Sequence, residues 1–514
     1  MLECGNMSNK RKMQEQSPQT AMNTNLTDIR LRLIVWTAGF IFFALFTPRM
    51  QDFLRPPTGD EPFYLITAQS ILYDHDLDET NQFTTKSWLE FYPTCEEYLA
   101  GWKGFFPPGI PCSGLETLNP QNTTAKRAGI YTKHGLGLSF IIAPAYALGK
   151  RLGVMFLMNA IAATLALNIF MLSWEATRQR RIAWLCLGLL GLSAPLFSFA
   201  YLIFPQLPAA LCVIYCYRQA RLLAEGSKVS NLRLALAGIC FGILPWLHYL
   251  YLLLSALLGL YLLWSLRKGG SGNISRRGYV ALLLPVAFFG ILFIGYFMYL
   301  YGTPFPNTAD HDGFANPLTL PIGLLGLLFD QKYGLLMYSP VYLIPLAWLV
   351  KRGFSGNLPN KAEFYWLIAI ILPYYILVAD YNKWWGQWCP PARYLLPIVP
   401  LLALPMAQAF SALQGKLFKL FIVVSAGWGA LITVAFVLNP RLSYHWEDTN
   451  PAKLLLGLEE NIPFLKGVGL ANFFPSYVNF IEPASPLYWI SPFFWLGLTL
   501  WLGFRLVKTA QLKG

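Results

Sequence analysis

The sequence predicts an all-α polytopic membrane protein with about 12 transmembrane helices, and three observations carry that expectation. The chain of 514 residues is 55% hydrophobic and only 13% charged, where a soluble domain carries about a quarter charged residues. Apolar runs long enough to cross a bilayer recur from residue 31 to residue 506. Charge is also segregated between the two sides of those runs. The side that includes the N-terminus holds 24 of the 39 Lys and Arg residues but only 6 of the 26 Asp and Glu residues, the pattern of cytoplasmic loops.

Taken in order, residues 1–30 are polar, lack an apolar core with a small-residue cleavage site, and read as a disordered cytoplasmic tail. Spans follow near 31–48, 152–173, 182–201, 204–219, 232–247, 249–266, 279–300, 337–350, 363–379, 394–411, 418–438 and 487–505. Residues 135–149 are apolar but short and contain Pro144, so they read as an interfacial helix. Residues 507–514 form a second short tail. The charge bias puts both termini in the cytoplasm and the large loops outside, in an inner (plasma) membrane. The net charge of +13 therefore belongs to topology and anionic lipid, and no nucleic-acid partner is expected. Of the eight cysteines, Cys186, Cys212, Cys216 and Cys240 fall in apolar runs, while Cys95 and Cys112 share the first large loop and could pair outside the cell.

The chemistry is expected in four external segments: 49–151, 301–336, 380–393 and 439–486. The first carries Pro57-Thr58-Gly59-Asp60-Glu61-Pro62, adjacent carboxylates between a glycine turn and a proline. Asp60 can cap a surface-lying helix that runs to about Tyr73, or it can serve as a base toward an acceptor hydroxyl or amine. Asp74, Asp76, Asp78 and Glu79 read as a solvated turn more readily than as a cation loop, because the ligand set of a calcium loop is incomplete. Lys133 and His134 open the interfacial helix, where free amide groups favour anions. Asp310-His311-Asp312, Lys332-Tyr333, Trp384-Trp385 and Arg393-Tyr394 mark the other segments. Arg offers phosphate a planar donor fork; the tryptophans are a membrane belt or a sugar-contacting wall. Walker, GxGxxG, HExxH, Gly-x-Ser-x-Gly and paired CxxC motifs are missing. Outside the cytoplasm there is no nucleotide sugar, so an activated donor must be lipid-linked. A phosphate leaving group then needs cations, and the acceptor needs a base.

Asp60-Glu61 after the first span, Tyr131-Thr-Lys133-His134-Gly-Leu-Gly-Leu, Phe329-Asp330-Gln-Lys332-Tyr333-Gly, and Trp384-Trp385-Gly-Gln-Trp388 with Ala392-Arg393-Tyr394 together resemble the GT-C class of glycosyltransferases, in particular the protein O-mannosyltransferase and lipid A aminoarabinose transferase type. The resemblance covers most of residues 31–506, read as one GT-C-like transmembrane domain. It implies a sugar on a polyprenyl monophosphate, transferred with inversion to a lipid, glycan or protein acceptor. Asp60 would be the base and Glu61 the neighbouring acid. Arg393, Lys332, Lys133 and His134 would hold the donor phosphate. Tyr333, Trp384, Trp385 and Asp312 would contact substrate. No cofactor is implied in these branches, though a divalent cation is used elsewhere in the class. The alternatives are a transporter or flippase of lipid-linked glycan and a glycan ligase or polymerase.

Overall fold

The computed structural model describes residues 18–57, 59–99, 117–270, 274–305, 313, 320–355, 360–445, 451–478 and 487–508. Among them the only β-pairing is two isolated bridges, Asn122 with Thr132 and Cys389 with His445. Helices that close their own backbone hydrogen bonds are what a bilayer interior requires. Seven are long and apolar enough to cross a membrane: Asp28–Phe53, Leu136–Thr177, Tyr251–Gly269, Arg276–Tyr301, Lys361–Ala379, Lys416–Leu438 and Ile490–Val507. Asn231–Leu247, Leu320–Phe329 and Val399–Ala412 are apolar but shorter.

Three of the expected spans are broken. Region 182–201 is a helix Arg180–Cys186, a π-turn Leu187–Gly191 and a single turn Leu196–Phe199. Region 337–350 is split at Pro340 into Leu335–Tyr338 and Leu343–Gly353. Region 394–411 becomes two short 3-10 turns before Ala403–Ala412. Pro195, Pro340, Pro397 and Pro400 remove the amide donors that a continuous helix needs. Such breaks are tolerated where protein covers the backbone, and Leu196–Phe204 and Tyr394–Leu396 are buried accordingly.

The helix Leu136–Thr177 is two helices joined at a kink, with Gly149 and Lys150 outside helical geometry. The kink separates the apolar 135–149 stretch from the span that follows. Lys150 fixes it there by reaching Glu90 at 2.7 Å and the Tyr73 hydroxyl at 2.8 Å. Arginines fasten helix ends nearby: Arg49 donates to the last carbonyls of Lys416–Leu438, and Arg151 donates to Gln51 and Leu54 at the end of the first helix. The Arg276–Tyr301 helix sits at the periphery with Leu283, Leu284, Phe288 and Ile291 exposed. It lies close on Asn231–Leu247 because Gly238 faces it: a Cβ there would fall 2.2 Å from the Leu282 carbonyl. In the first loop Cys95 is disulfide-bonded; Cys112 lies outside the described residues.

The acidic helix is Glu61–Gln69, continued by a π-turn Ser70–Asp74. All nine of its residues are buried, which corrects the expectation of a helix lying on the membrane surface. The Leu136–Thr177 helix covers it on one side, with Ser139 donating to the Tyr64 carbonyl. The acids that follow hold a turn: Asp78 accepts the amides of Thr80 and Ile130, and Asp76 accepts from Ser70. Glu79 differs from them. Burial pushes its carboxyl from the ordinary 4.5 up to about 8, against a hydrogen bond with Thr67. Thr67 already donates to the Phe63 carbonyl at 2.8 Å, so a neutral Glu79 can donate to the threonine oxygen and satisfy both. A carboxyl raised in the fold adds stability below its unfolded value and loses it as pH rises through the folded one. Wild type should therefore lose thermal stability toward alkaline pH, by on the order of 2 kcal/mol between about pH 6 and pH 9. Glu79→Gln should flatten that slope, as tryptophan-fluorescence melts across the range would show.

Candidate functional site

The site begins at a glycine. Gly59 has φ +62, and a Cβ there would stand 2.9 Å from the Trp388 carbonyl and 3.1 Å from the Tyr444 hydroxyl. Only glycine lets this turn press against the 380–393 loop. Asp60 follows at the N-cap position, yet its side chain makes no capping hydrogen bond. The carboxylate instead pairs with the Arg393 guanidinium, the two side chains being 19% and 6% exposed.

Arg393 is held by a loop in unusual backbone geometry. Gly386, Gln387 and Ala392 have φ of 86°, 60° and 58°, a clustering of rarely populated conformations found where the surroundings impose them. Arg393 Nη1 donates to the Gly386 carbonyl at 2.9 Å, and the guanidinium lies 4.5 Å from the Phe204 ring centroid. Its Nε is buried without a hydrogen-bond partner. Neighbouring segments tie the loop down: Ala392 donates to the Tyr333 carbonyl at 2.9 Å, and His445 donates to the Cys389 carbonyl at 3.1 Å. At Gly386 an added Cβ would meet Cys389 Sγ at 2.9 Å and Arg393 Cδ at 3.0 Å. Gly386→Ala should thus displace Arg393 and lower activity by about tenfold or more, since small misplacement of reacting groups costs that much; turnover assays at matched protein levels would check it.

Burial raises the Asp60 carboxyl, but the charge of Arg393, then that of His134, the Arg393 hydrogen bond and the charge of Lys133 outweigh it and hold the group at about 2. These groups share a cavity of about 660 Å³. Its lining combines polar side chains, Gln121, Thr132, Lys133, His134 and Gln387, with aromatic ones, Trp246, Tyr249, Phe293, Tyr296 and Phe297. His134 Nε2 lies 3.0 Å from Gln121 Oε1, and its ring stacks on Phe63 at 5.5 Å. The Leu136–Thr177 helix starts on this cavity, its cap Gly135 extended and its first turn free of a capping side chain. Gly135 and Gly137 are glycines because side chains there would strike the Trp246–Leu247 backbone, at 2.4 Å and 2.8 Å.

Asp60, Arg393, Lys133 and His134 are therefore brought together. Other predicted residues stand elsewhere. Glu61, 1% exposed, does not line the cavity; its Oε1 accepts the Ile203 amide at 2.8 Å, and the charge of Arg151 reaches it. Lys332, also 1% exposed, is absent from the cavity wall. Its amide and that of Tyr333 donate to the buried Asp330 carboxylate at 2.8 Å and 3.0 Å, and Tyr333 packs edge-on against His445. Trp384 fills the space over Gly326, and Trp385 packs edge-on against Trp384. Trp388, from the same cluster, does line the cavity. Asp312 lies outside the described residues. Among the described residues no three His, Cys, Asp or Glu side chains are grouped to hold a metal ion.

Several cavity residues were not singled out from the sequence as site groups: Gln121, Trp246, His248 and Tyr249 in the wall, and Phe204 beneath Arg393. The spacing of Gly135 and Gly137 was a usable signal that another backbone lies close, and that backbone is the Trp246–Leu247 segment beside His248 and Tyr249; nothing comparable marked Gln121.

No family model matches the chain, and no curated protein matches it. Among solved structures it is similar to the archaeal oligosaccharyltransferase AglB from Archaeoglobus fulgidus, in complex with an inhibitory peptide and a dolichol-phosphate. The two are 13% identical, with a TM-score of 0.40 over 87% of this chain. The chain spans 60% of the length of that oligosaccharyltransferase.

Proposed function

We propose that this chain is a membrane glycosyltransferase that moves a sugar from a polyprenyl monophosphate to an acceptor hydroxyl or amine on the outer face of the inner membrane. The observation that carries this reading is one cavity in which, among the described residues, Asp60 is the only carboxylate, set among the cations Arg393 and Lys133 and beside His134. The acceptor oxygen or nitrogen attacks the sugar C1. The bond from C1 to the phosphate oxygen breaks, and its electron pair leaves with the polyprenyl phosphate. The acceptor proton passes to Asp60, and C1 is inverted. Arg393, Lys133 and the amides of the Leu136–Thr177 helix start offset the charge on the phosphate. The aromatic lining suits a sugar ring and the first prenyl units.

Glu61 serves this site as a positioning residue. By holding Ile203 it places Phe204 under the Arg393 guanidinium. Lys332 and Tyr333 act in the same way, through the Tyr333 carbonyl that fixes Ala392.

The test is a donor screen in proteoliposomes with several polyprenyl-phosphate sugars, following release of free polyprenyl phosphate. Release that needs an acceptor and yields a glycosidic product supports transfer. Movement of the intact lipid without a new glycosidic bond would instead make the protein a flippase. Turnover only with polyprenyl-diphosphate glycans would make it a ligase or polymerase.

A further inference from the structure

We infer that Arg393 is a latch shared between Asp60 and the donor phosphate, so that Asp60 is released to work as a base only after the donor is seated. The inference rests on the transferase reading and adds an order of events to it.

Asp60 is occupied by Arg393. Arg393 Nη2 is on its carboxylate, while Nη1 is fixed to the Gly386 carbonyl at 2.9 Å. Lys133 and His134 add to the same positive surroundings. A carboxylate held so strongly in its charged form is a poor proton acceptor, because a useful base has an affinity for protons near the working pH. The same cations are what a phosphate needs, and Arg393 keeps one N–H in reserve: Nε is buried without a partner on a side chain that lines the cavity. A phosphate entering here offers acceptors both to that N–H and to the N–H now on Asp60. The arginine can change anions without leaving Phe204 or Gly386. Once it does, Asp60 has lost its nearest cation and gained an anion nearby, and both changes raise its proton affinity. The base is then switched on by the leaving group it must work with, and an acceptor that arrives first is not deprotonated.

Competition of this kind has a sign that a cooperative arrangement lacks. Removing the Asp60 charge should tighten phosphate binding, because nothing then holds Arg393 back. The probe is a polyprenyl monophosphate, titrated into protein in nanodiscs of neutral lipid, with inorganic phosphate as a second arm to separate the headgroup from its chain. The latch predicts that Asp60→Asn binds the polyprenyl phosphate roughly tenfold more tightly than wild type. Equal or weaker binding by Asp60→Asn overturns the latch and leaves the transferase reading standing. Failure of wild type to bind polyprenyl phosphate at all overturns that reading, and the latch with it. If Asp60→Asn does not fold, the double variant Asp60→Asn/Arg393→Gln, which buries neither charge, carries the test. A latch exchanges one anion for another, so this variant should bind within about threefold of wild type. A loss of more than about tenfold would show that Arg393 adds to phosphate binding without first giving up Asp60.

Discussion

Asp60→Asn should give a folded protein that binds donor and does not transfer sugar. The amide keeps an oxygen for the Arg393 N–H, so the guanidinium is not left alone in its buried place. What disappears is the proton acceptor. A positioned general base contributes roughly 10²–10⁴-fold to rate, and the expected fall in kcat is of that size, read as polyprenyl phosphate released per protein in proteoliposomes. The loss of turnover belongs to kcat and not to weaker donor binding, because Arg393 and Lys133 remain to hold the phosphate. The depressed carboxyl also fixes the expected response to pH. Its folded value of about 2 lies below the ordinary 3.8, so the ion pair stabilises the protein above the ordinary value and is lost only as pH falls through about 2. Across neutral pH Asp60 stays charged in the donor-free protein, and the stability difference between wild type and Asp60→Asn should be flat there. Retention of more than about a tenth of wild-type turnover would remove Asp60 from the role of base.

The parts of this site that were legible in the sequence are those where the backbone itself constrains the residue type. Gly59 before Asp60 announced a turn, and the turn is what lets Asp60 meet the Trp388 segment. Lys133-His134-Gly135 announced a helix start with cations, and that start opens on the cavity. Arg393, the cation that closes an aromatic loop, was also legible. Lys332 was not, although it looks equivalent in sequence: a residue's place in an external segment does not say which way its side chain turns, and Asp330 draws that strand of backbone inward. Glu61 illustrates the same limit at shorter range. One residue of helix rotates a side chain by about 100°, enough to send Asp60 into the cavity and Glu61 toward Ile203. Hydropathy located the apolar segments but not their continuity, because Pro195, Pro340, Pro397 and Pro400 break helices that protein, not lipid, surrounds.

Arg393→Gln should be the variant that damages both stability and donor binding. Truncating one partner of a buried ion pair costs about 3–5 kcal/mol, because the other charge remains without compensation. Asp60 is 19% exposed, and water in the cavity can reach it, so the lower end of that range applies. The glutamine also lacks the cation that lies over Phe204, offers one amide nitrogen in place of the planar two-nitrogen fork, and leaves the Asp60 charge uncompensated beside the phosphate, so the donor KM should rise by at least about tenfold. Lysine should recover only part of this: an ammonium cannot span Gly386 and Asp60 at once as the planar fork does. Melting midpoints then separate a charge effect from a packing effect. If an unpaired carboxylate is the damage, Asp60→Asn in the Arg393→Gln background should return most of the lost stability although it removes a second side chain of the site. If lost packing against Phe204 is the damage, the double variant will melt no higher than Arg393→Gln alone, and the ion pair will not be what holds the 380–393 loop against the acidic helix.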